Sequence, residues 1–296
     1  MTRLAWLNGV YVTAEEAKIS PFDRGFLFAD GVYEVTAVYN GQPVDMERHL
    51  DRLERSLKEI SFAKLPDRKE LAEMHRRLIA ENGLTEGYIY LQVTRGAYGA
   101  RDFPAPEAGA TRLTCFAFAE ARPLIDTVSA KNGTRIATIP DIRWGRRDIK
   151  SVQLLAPVLA KTEAKARGKD DAWLVGPDGL VTEGASSNAW IVTKSGEIVT
   201  RALSNAILPG ITRHALFDAL SQQGRKIVER SFTVEEAKGA AEAFSTAATA
   251  LVAPVVEIDG ARIGSGTPGP VTRTIQRLYY QAIGADVAKV APFVNE

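Results

Sequence analysis

A chain of 296 residues, 45% of them hydrophobic, is long enough to bury one large core or two modest ones, and two domains are expected. Its 37 basic and 36 acidic residues leave a net charge of +1 with no basic stripe or acidic tail, which argues against nucleic acid or a membrane surface as partner. The single cysteine, Cys115, excludes an internal disulfide and a four-thiolate zinc site within one chain, and suits a reducing cytoplasm.

Met1 to Gly9 carries a short apolar run without the longer hydrophobic stretch and cleavage site of a signal peptide, and no segment approaches the roughly 20 apolar residues that span a bilayer. The strand-like run Gly31 to Tyr39 ends in Asn40-Gly41, a hairpin signal. A helix follows, with Asp45 as expected N-cap and Leu50, Leu53, Leu57 and Ile60 on one face. The next helix starts at Asp67 with Glu70 in capping-box register, buries Leu71, Met74 and Leu78, and stops near Gly83. Strands over Tyr88 to Thr94 and Arg112 to Ala119 complete a small amino-terminal domain, 1–120. The proline and polarity of Glu120 to Leu124 mark 121–124 as a connector.

The remainder, 125–296, alternates strands (Arg135 to Ile139, Asp171 to Val175, Asn188 to Val192) with helices (Val152 to Arg167, Thr212 to Gln223, Pro270 to Ile283). Turn signals stand at Pro177-Asp178-Gly179, Ser195-Gly196 and Asp259-Gly260. That mixture predicts an α+β chain whose second domain holds a mixed sheet rather than repeated strand-helix-strand units. The tail after Asp286 reads as short and mobile.

Three segments carry chemistry. Lys150 precedes a helix with Leu154, Leu155, Val158 and Leu159 on its apolar side, which places the amine at a strand-to-helix junction where desolvation favours the neutral, nucleophilic form. Glu183, 33 positions later, ends a predicted strand and is followed by Gly184 and two serines, so its carboxylate can point into a cleft. Pro209-Gly210-Ile211-Thr212 opens a helix with Ala215, Leu216, Ala219 and Leu220 on its apolar face, leaving N–H groups and the positive dipole end to a phosphate. Thr246-Ala247-Ala248-Thr249 is a second small-residue loop, and Arg52 can add countercharge. An amine, a carboxylate and a phosphate cradle are what pyridoxal 5'-phosphate requires: a Schiff base on its aldehyde, a partner for its pyridine nitrogen, and a seat for its phosphate. Taken singly, each has an ordinary reading as a solvated lysine, turn glutamate or helix arginine. His49, His75 and His214 lack ligand-like spacing, so no metal site is expected; neither a Gly-x-Gly-x-x-Gly nor a phosphate-loop lysine motif is expected, which argues against nucleotide chemistry.

The set Asp23-Arg24-Gly25, Asp30-Gly31-Val32-Tyr33-Glu34-Val35, His49-Leu50-Asp51-Arg52-Leu53, Val93-Thr94-Arg95-Gly96, Asp141-Ile142-Arg143-Trp144, Asp148-Ile149-Lys150-Ser151, Thr182-Glu183-Gly184 and Ser186-Ser187-Asn188 resembles the fold type IV aminotransferases, most closely the D-amino acid aminotransferases, over most of the chain. The resemblance implies a homodimer with a small amino-terminal α/β domain, a larger mixed, barrel-like domain carrying Lys150, and pyridoxal 5'-phosphate in the cleft between them. It implies Lys150 as Schiff-base lysine and Glu183 as partner of the pyridine nitrogen. Arg52, Ile211, Thr212, Ala248 and Thr249 become the phosphate site, Leu203 the residue packed on the ring, and Tyr33 a residue facing the substrate. In the familiar D-enzymes an Arg-x-His pair from the neighbouring subunit helps hold the substrate carboxylate. The corresponding stretch here, Gly96 to Phe103, lacks the histidine and leaves Arg101 for the task. The expected reaction moves an amino group between a D-amino acid and a 2-keto acid by ping-pong half-reactions, with Lys150 shuttling the proton. A branched-chain L-amino acid aminotransferase, an (R)-amine transaminase and an aminodeoxychorismate lyase share the expected cofactor site and differ in their substrate loops. A cofactor-free α/β dimer that binds ligand without chemistry is the reading from a different class.

Overall fold

The computed structural model describes residues 3–99, 101–107 and 109–295. They form two compact units, one of the residues up to Arg122 together with Ile149–Gln153, the other of Pro123–Asp148 and the residues from Leu154 onward.

The first unit contains β1 (Leu4–Leu7), β2 (Val10–Thr13), α1 (Arg24–Phe28), β3 (Gly31–Tyr39), β4 (Gln42–Pro43), α2 (Met46–Glu59), α3 (Arg68–Glu81), β5 (Glu86–Thr94) and β6 (Thr114–Ala121). Its strands make an antiparallel sheet in the order β2-β1-β6-β5-β3-β4. Alternation along β5 and β6 sends Ile89, Leu91, Val93, Ala117 and Ala119 into a core with Leu50, Leu53 and Leu57 of α2 and Leu71, Met74 and Leu78 of α3. The other face is aromatic: Tyr33 stacks on Tyr90, and Tyr90 on Phe118. Asn40 and Gly41, both at positive φ, turn β3 into β4 as their sequence predicts.

Two local expectations change. Asp45 does not cap α2 with its side chain; it adopts a left-handed conformation at φ 50°, and its carboxylate lies 3.7 Å from Arg48. Asp67 does cap α3, accepting from the Lys69 N–H at 2.8 Å. The helix expected from Val152 begins at Leu155, because Val152 donates to the Gly31 carbonyl and Ser151 bridges Val32. Lys150 therefore sits on an extended segment tied to β3, not at a strand-to-helix junction.

Within this core, His75 donates from Nδ1 to the Leu71 carbonyl and accepts at Nε2 from the Thr36 hydroxyl. Burial pushes its pKa down to about 4 from 6.5. The unfolded chain takes up a proton there as the pH falls through the ordinary histidine range, while the folded chain does so only near the lowered value. Stability is therefore complete at neutral pH and drains away between the two, by about 2 kcal/mol from pH 7 to 5. Urea midpoints at those two values check this, and His75→Gln, whatever its own stability, flattens the dependence.

The second unit contains α4 (Val128–Asn132), β7 (Thr134–Pro140), α5 (Leu155–Ala166), β8 (Asp171–Val175), β9 (Val181–Gly184), β10 (Asn188–Val192), β11 (Ile198–Thr200), α6 (Ile211–Gln222), β12 (Ile227–Glu229), α7 (Val234–Lys238), β13 (Glu242–Ala247), β14 (Leu251–Ile258), β15 (Ala261–Arg262), α8 (Pro270–Ala282) and α9 (Val287–Val290). The sheet runs β12-β11-β10-β13-β14-β7-β8-β9, with β15 beside β14. It is mixed: β11–β12, β14–β7 and β7–β8 are parallel, the rest antiparallel. Its inward residues, including Trp173, Val181, Ile191, Val199 and Phe232, form the core.

The face of α5 that packs inward is Ala160 and Ala164. Leu155, Val158 and Leu159, expected to be buried, are 71%, 55% and 50% exposed. The tail after Asp286 is not a loose end either: Val287, Ala291, Phe293 and Val294 are buried. Against the expectation that the chain has no Gly-x-Gly-x-x-Gly motif, Gly264-Ser265-Gly266-Thr267-Pro268-Gly269 has that spacing. The Glu242 carboxylate already occupies the α8 start behind it, accepting from the Val271 N–H and from the Thr272 N–H and hydroxyl.

Candidate active site

In the first unit, the Lys150 carbonyl accepts from the Tyr33 N–H at 3.0 Å, and the Lys150 N–H reaches Ser56 Oγ at 3.3 Å. The amine lies 4.1 Å from the Tyr33 ring centroid. Tyr33 and Glu34, as neighbours on a strand, face opposite ways. Glu34 points into the core and accepts from Arg52 Nε and Nη2, both at 2.8 Å, and from His49 Nδ1 at 2.7 Å. Burial opposes the Glu34 charge, but the Arg52 guanidinium outweighs it and holds the carboxyl well below the usual carboxylate range. His49, Arg52 and Ser56 share one face of α2, so this helix supports both the ion pair and the lysine backbone.

In the second unit, Glu183 is buried on β9. Its carboxylate accepts from Arg143 Nη1 at 2.5 Å, from Asn188 Nδ2 at 3.0 Å and from the Leu208 N–H at 3.1 Å. Burial raises its pKa, with the Arg143 charge working the other way. Arg143 is itself held by Asp141 through Nε at 2.9 Å and Nη2 at 2.8 Å, and Asp141 also accepts from the Thr182 hydroxyl. The Leu208 N–H is shared between the two carboxylate oxygens, at 3.1 and 3.3 Å, so three donors meet a group with about four acceptor positions and a cationic N–H could take over one oxygen's share of that bond.

Asn188 also donates to the Leu208 carbonyl at 3.0 Å, just before α6. The α6 N-cap is Gly210, which supplies no side-chain cap; a Cβ there would stand 2.0 Å from Asn188 Oδ1. The first turn, Ile211 and Thr212, thus presents N–H groups suited to an anion. Ala248 and Thr249 lie in the β13–β14 turn, two and three residues beyond Thr246, the strand partner of Asn188. In the second unit Asn188 therefore touches Glu183 and Gly210, with Ile211 and Thr212 next along the chain from Gly210, and Ala248 and Thr249 in the turn after its strand partner Thr246. Leu203 lies on the exposed loop after β11. Tyr33, Arg52, Arg101 and Lys150 belong to the first unit.

The sequence motifs that contain Arg143 and Asn188 assign no role to either residue. Alternation of Asp141 and Arg143 along an extended stretch was the available signal for their pairing; nothing local to the sequence reveals that the partner is Glu183. The donor set fits a pyridoxal group: an acceptor for a cationic ring nitrogen, and an uncapped helix start for a phosphate.

The amino-transferase class IV family profile matches residues 31–258. The D-alanine aminotransferase of Staphylococcus haemolyticus is 40% identical over 277 residues, covering 93% of this chain and 96% of that protein. The D-alanine aminotransferase of Bacillus licheniformis is 37% identical over 288 residues, 95% of this chain and 98% of that protein. The branched-chain aminotransferase of the thermophilic archaeon Thermoproteus uzoniensis, solved with norvaline, superposes with a TM-score of 0.84 at 27% identity, over 100% of this chain and 98% of that one. With the matched span running from the strand that anchors Lys150 to the strand beyond the Ala248–Thr249 turn, the chain belongs to the class IV aminotransferases.

Proposed function

We propose that the protein is a pyridoxal 5'-phosphate-dependent aminotransferase moving an amino group between a D-amino acid and a 2-keto acid. The observation that carries the reading is the buried Glu183 carboxylate beside the uncapped start of α6. The preference for D-amino acids rests on the 40% identity to a D-alanine aminotransferase, against 27% to a branched-chain enzyme. When bound, the cofactor supplies an electron sink for the pair released at the substrate Cα.

The remaining roles fall to the chain's own side chains. Lys150 would hold the cofactor aldehyde between turnovers and would carry the proton released at the substrate Cα. Glu183 would partner the ring nitrogen, and Arg143 with Asn188 keep Glu183 in place. Ile211, Thr212, Ala248 and Thr249 would hold the phosphate with Arg52 as countercharge, and Leu203 would pack on the ring. Tyr33 faces the substrate. A homodimer is supported by the exposed apolar row Leu155, Val158 and Leu159 on α5. The buried lone Cys115 is consistent with a cytoplasmic enzyme. Small-molecule amino and keto acids are the partners of this site.

The test is a panel of D- and L-amino acids with pyruvate or 2-oxoglutarate as acceptor. D-alanine should be used in preference to L-leucine; the reverse order replaces this reading with the branched-chain one. Arg101→Ala should raise the KM for D-amino acids and 2-keto acids together, because the carboxylate is the group both share. A charge-assisted contact of about 1.5–3 kcal/mol corresponds to a loss of about ten- to more than a hundredfold in kcat/KM.

A further inference from the structure

Arg101 is an exposed arginine, and among the described residues no acidic side chain pairs with it. Its guanidinium carbon lies instead 5.3 Å from the Phe28 ring and 5.4 Å from the Phe103 ring. The two rings are themselves 5.4 Å apart, tilted by 55°. Phe28 comes from the last position of α1, one helical turn beyond Arg24. Arg24 is 4% exposed, and it turns its donors on the same loop: Nη1 to the Asp102 carbonyl at 2.6 Å and Nη2 to the Phe103 carbonyl at 3.0 Å. Its Nε is fixed by Asp30 at 2.8 Å, and its face lies 4.7 Å from Phe28. The near end of the loop is pinned as well, by the Arg24 N–H on the Gly96 carbonyl at 2.9 Å.

We propose that Arg24, Phe28 and Phe103 are positioning residues that present the Arg101 guanidinium, ring-faced and unpaired, as the receptor for the substrate's carboxylate. The inference rests on the reading of Arg101 given above and deepens it. A guanidinium whose flat face lies on aromatic rings keeps its N–H edge outward, and that edge matches a planar carboxylate. An arginine on a free loop would have to surrender its rotamers when the ligand arrives. Here the two carbonyl contacts from Arg24 hold the loop and the rings hold the side chain beforehand, which reduces the cost of binding. The ligand class is therefore any amino or keto acid with a free carboxylate. The aromatic shelf enters through binding and leaves the chemical step alone.

Steady-state kinetics of the holoenzyme with D-alanine and 2-oxoglutarate, together with inhibition by propionate as a carboxylate without an amino or keto group, read this directly. Phe103→Leu keeps an apolar side chain but removes the ring. It should raise both KM values and the propionate inhibition constant by about two- to fivefold with little change in kcat, the size of an exposed cation–π contact. Phe103→Tyr, which keeps the ring face, should restore parental values. Arg24→Lys, unable to reach both carbonyls in a fork, should raise the same three constants. In an Arg101→Ala background, Phe103→Leu should have no additional effect. Unchanged constants in Phe103→Leu, a fall in kcat alone, or an equal effect with and without Arg101 would each overturn the proposal while leaving D-amino acid transamination standing. A parent enzyme inactive on D-amino acids would overturn the functional reading itself.

Discussion

Lys150→Ala is expected to abolish turnover, by about a thousandfold or more, while the protein stays folded. Acid–base catalysis alone contributes about 10²–10⁴, and the covalent role of the amine is lost at the same time. The fold should survive because the contacts that fix this segment are made by backbone: the Lys150 carbonyl with Tyr33, the Lys150 N–H with Ser56, and Val152 with Gly31. Alanine keeps all of them. Borohydride treatment followed by peptide mass mapping should attach the cofactor at position 150 in the parent and at no residue in the variant. A small primary amine added to the variant should recover part of the proton transfer, since the site retains everything but the base. Near-parental turnover without added amine would remove Lys150 from the mechanism.

Glu183→Gln is expected to slow the proton-abstraction step by about 10²–10³, the usual cost of removing one preorganised electrostatic partner, while phosphate-dependent cofactor binding changes less. The amide is a poor substitute for geometric as well as electrostatic reasons. Arg143, Asn188 and the Leu208 N–H all donate to the carboxylate, so the amide's own NH₂ must face one of these donors. The variant also removes an ionisation. Burial raises the Glu183 pKa in the chain alone, and a cationic ring nitrogen against the carboxylate would work the other way and favour the ionised form. Unchanged single-turnover kinetics in the variant would contradict the role.

Much of this was legible in the sequence because it is local. Asp171–Val175 and Asn188–Val192 fall where their apolar runs place them, and Asn40-Gly41 turns because its residues tolerate positive φ. Other readings failed where distant contacts override local pattern. A helical pattern from Val152 yields to hydrogen bonds with β3, a strand more than a hundred positions earlier. The apolar row of α5 reads as core, but the sheet accepts only its alanines. Asp45 has the chemistry of a cap and the wrong backbone angle. For the candidate site, the wording around the lysine and the glutamate is what proposes them. The arginine and asparagine that hold the glutamate are not proposed by it, because the arginine follows β7 and meets β9 only through the sheet order β7-β8-β9, and the asparagine meets it only where β9 turns into β10.

Asn188 works as a calliper. One nitrogen grips the Glu183 carboxylate at one jaw and the Leu208 carbonyl at the other, and its oxygen stands so close to Gly210 that no larger residue fits. The span from the carboxylate to the first turn of α6 is therefore set twice over, by this amide and by the Leu208 N–H on the carboxylate itself. A ligand reaching from the carboxylate to that turn would meet a separation already set before it arrives.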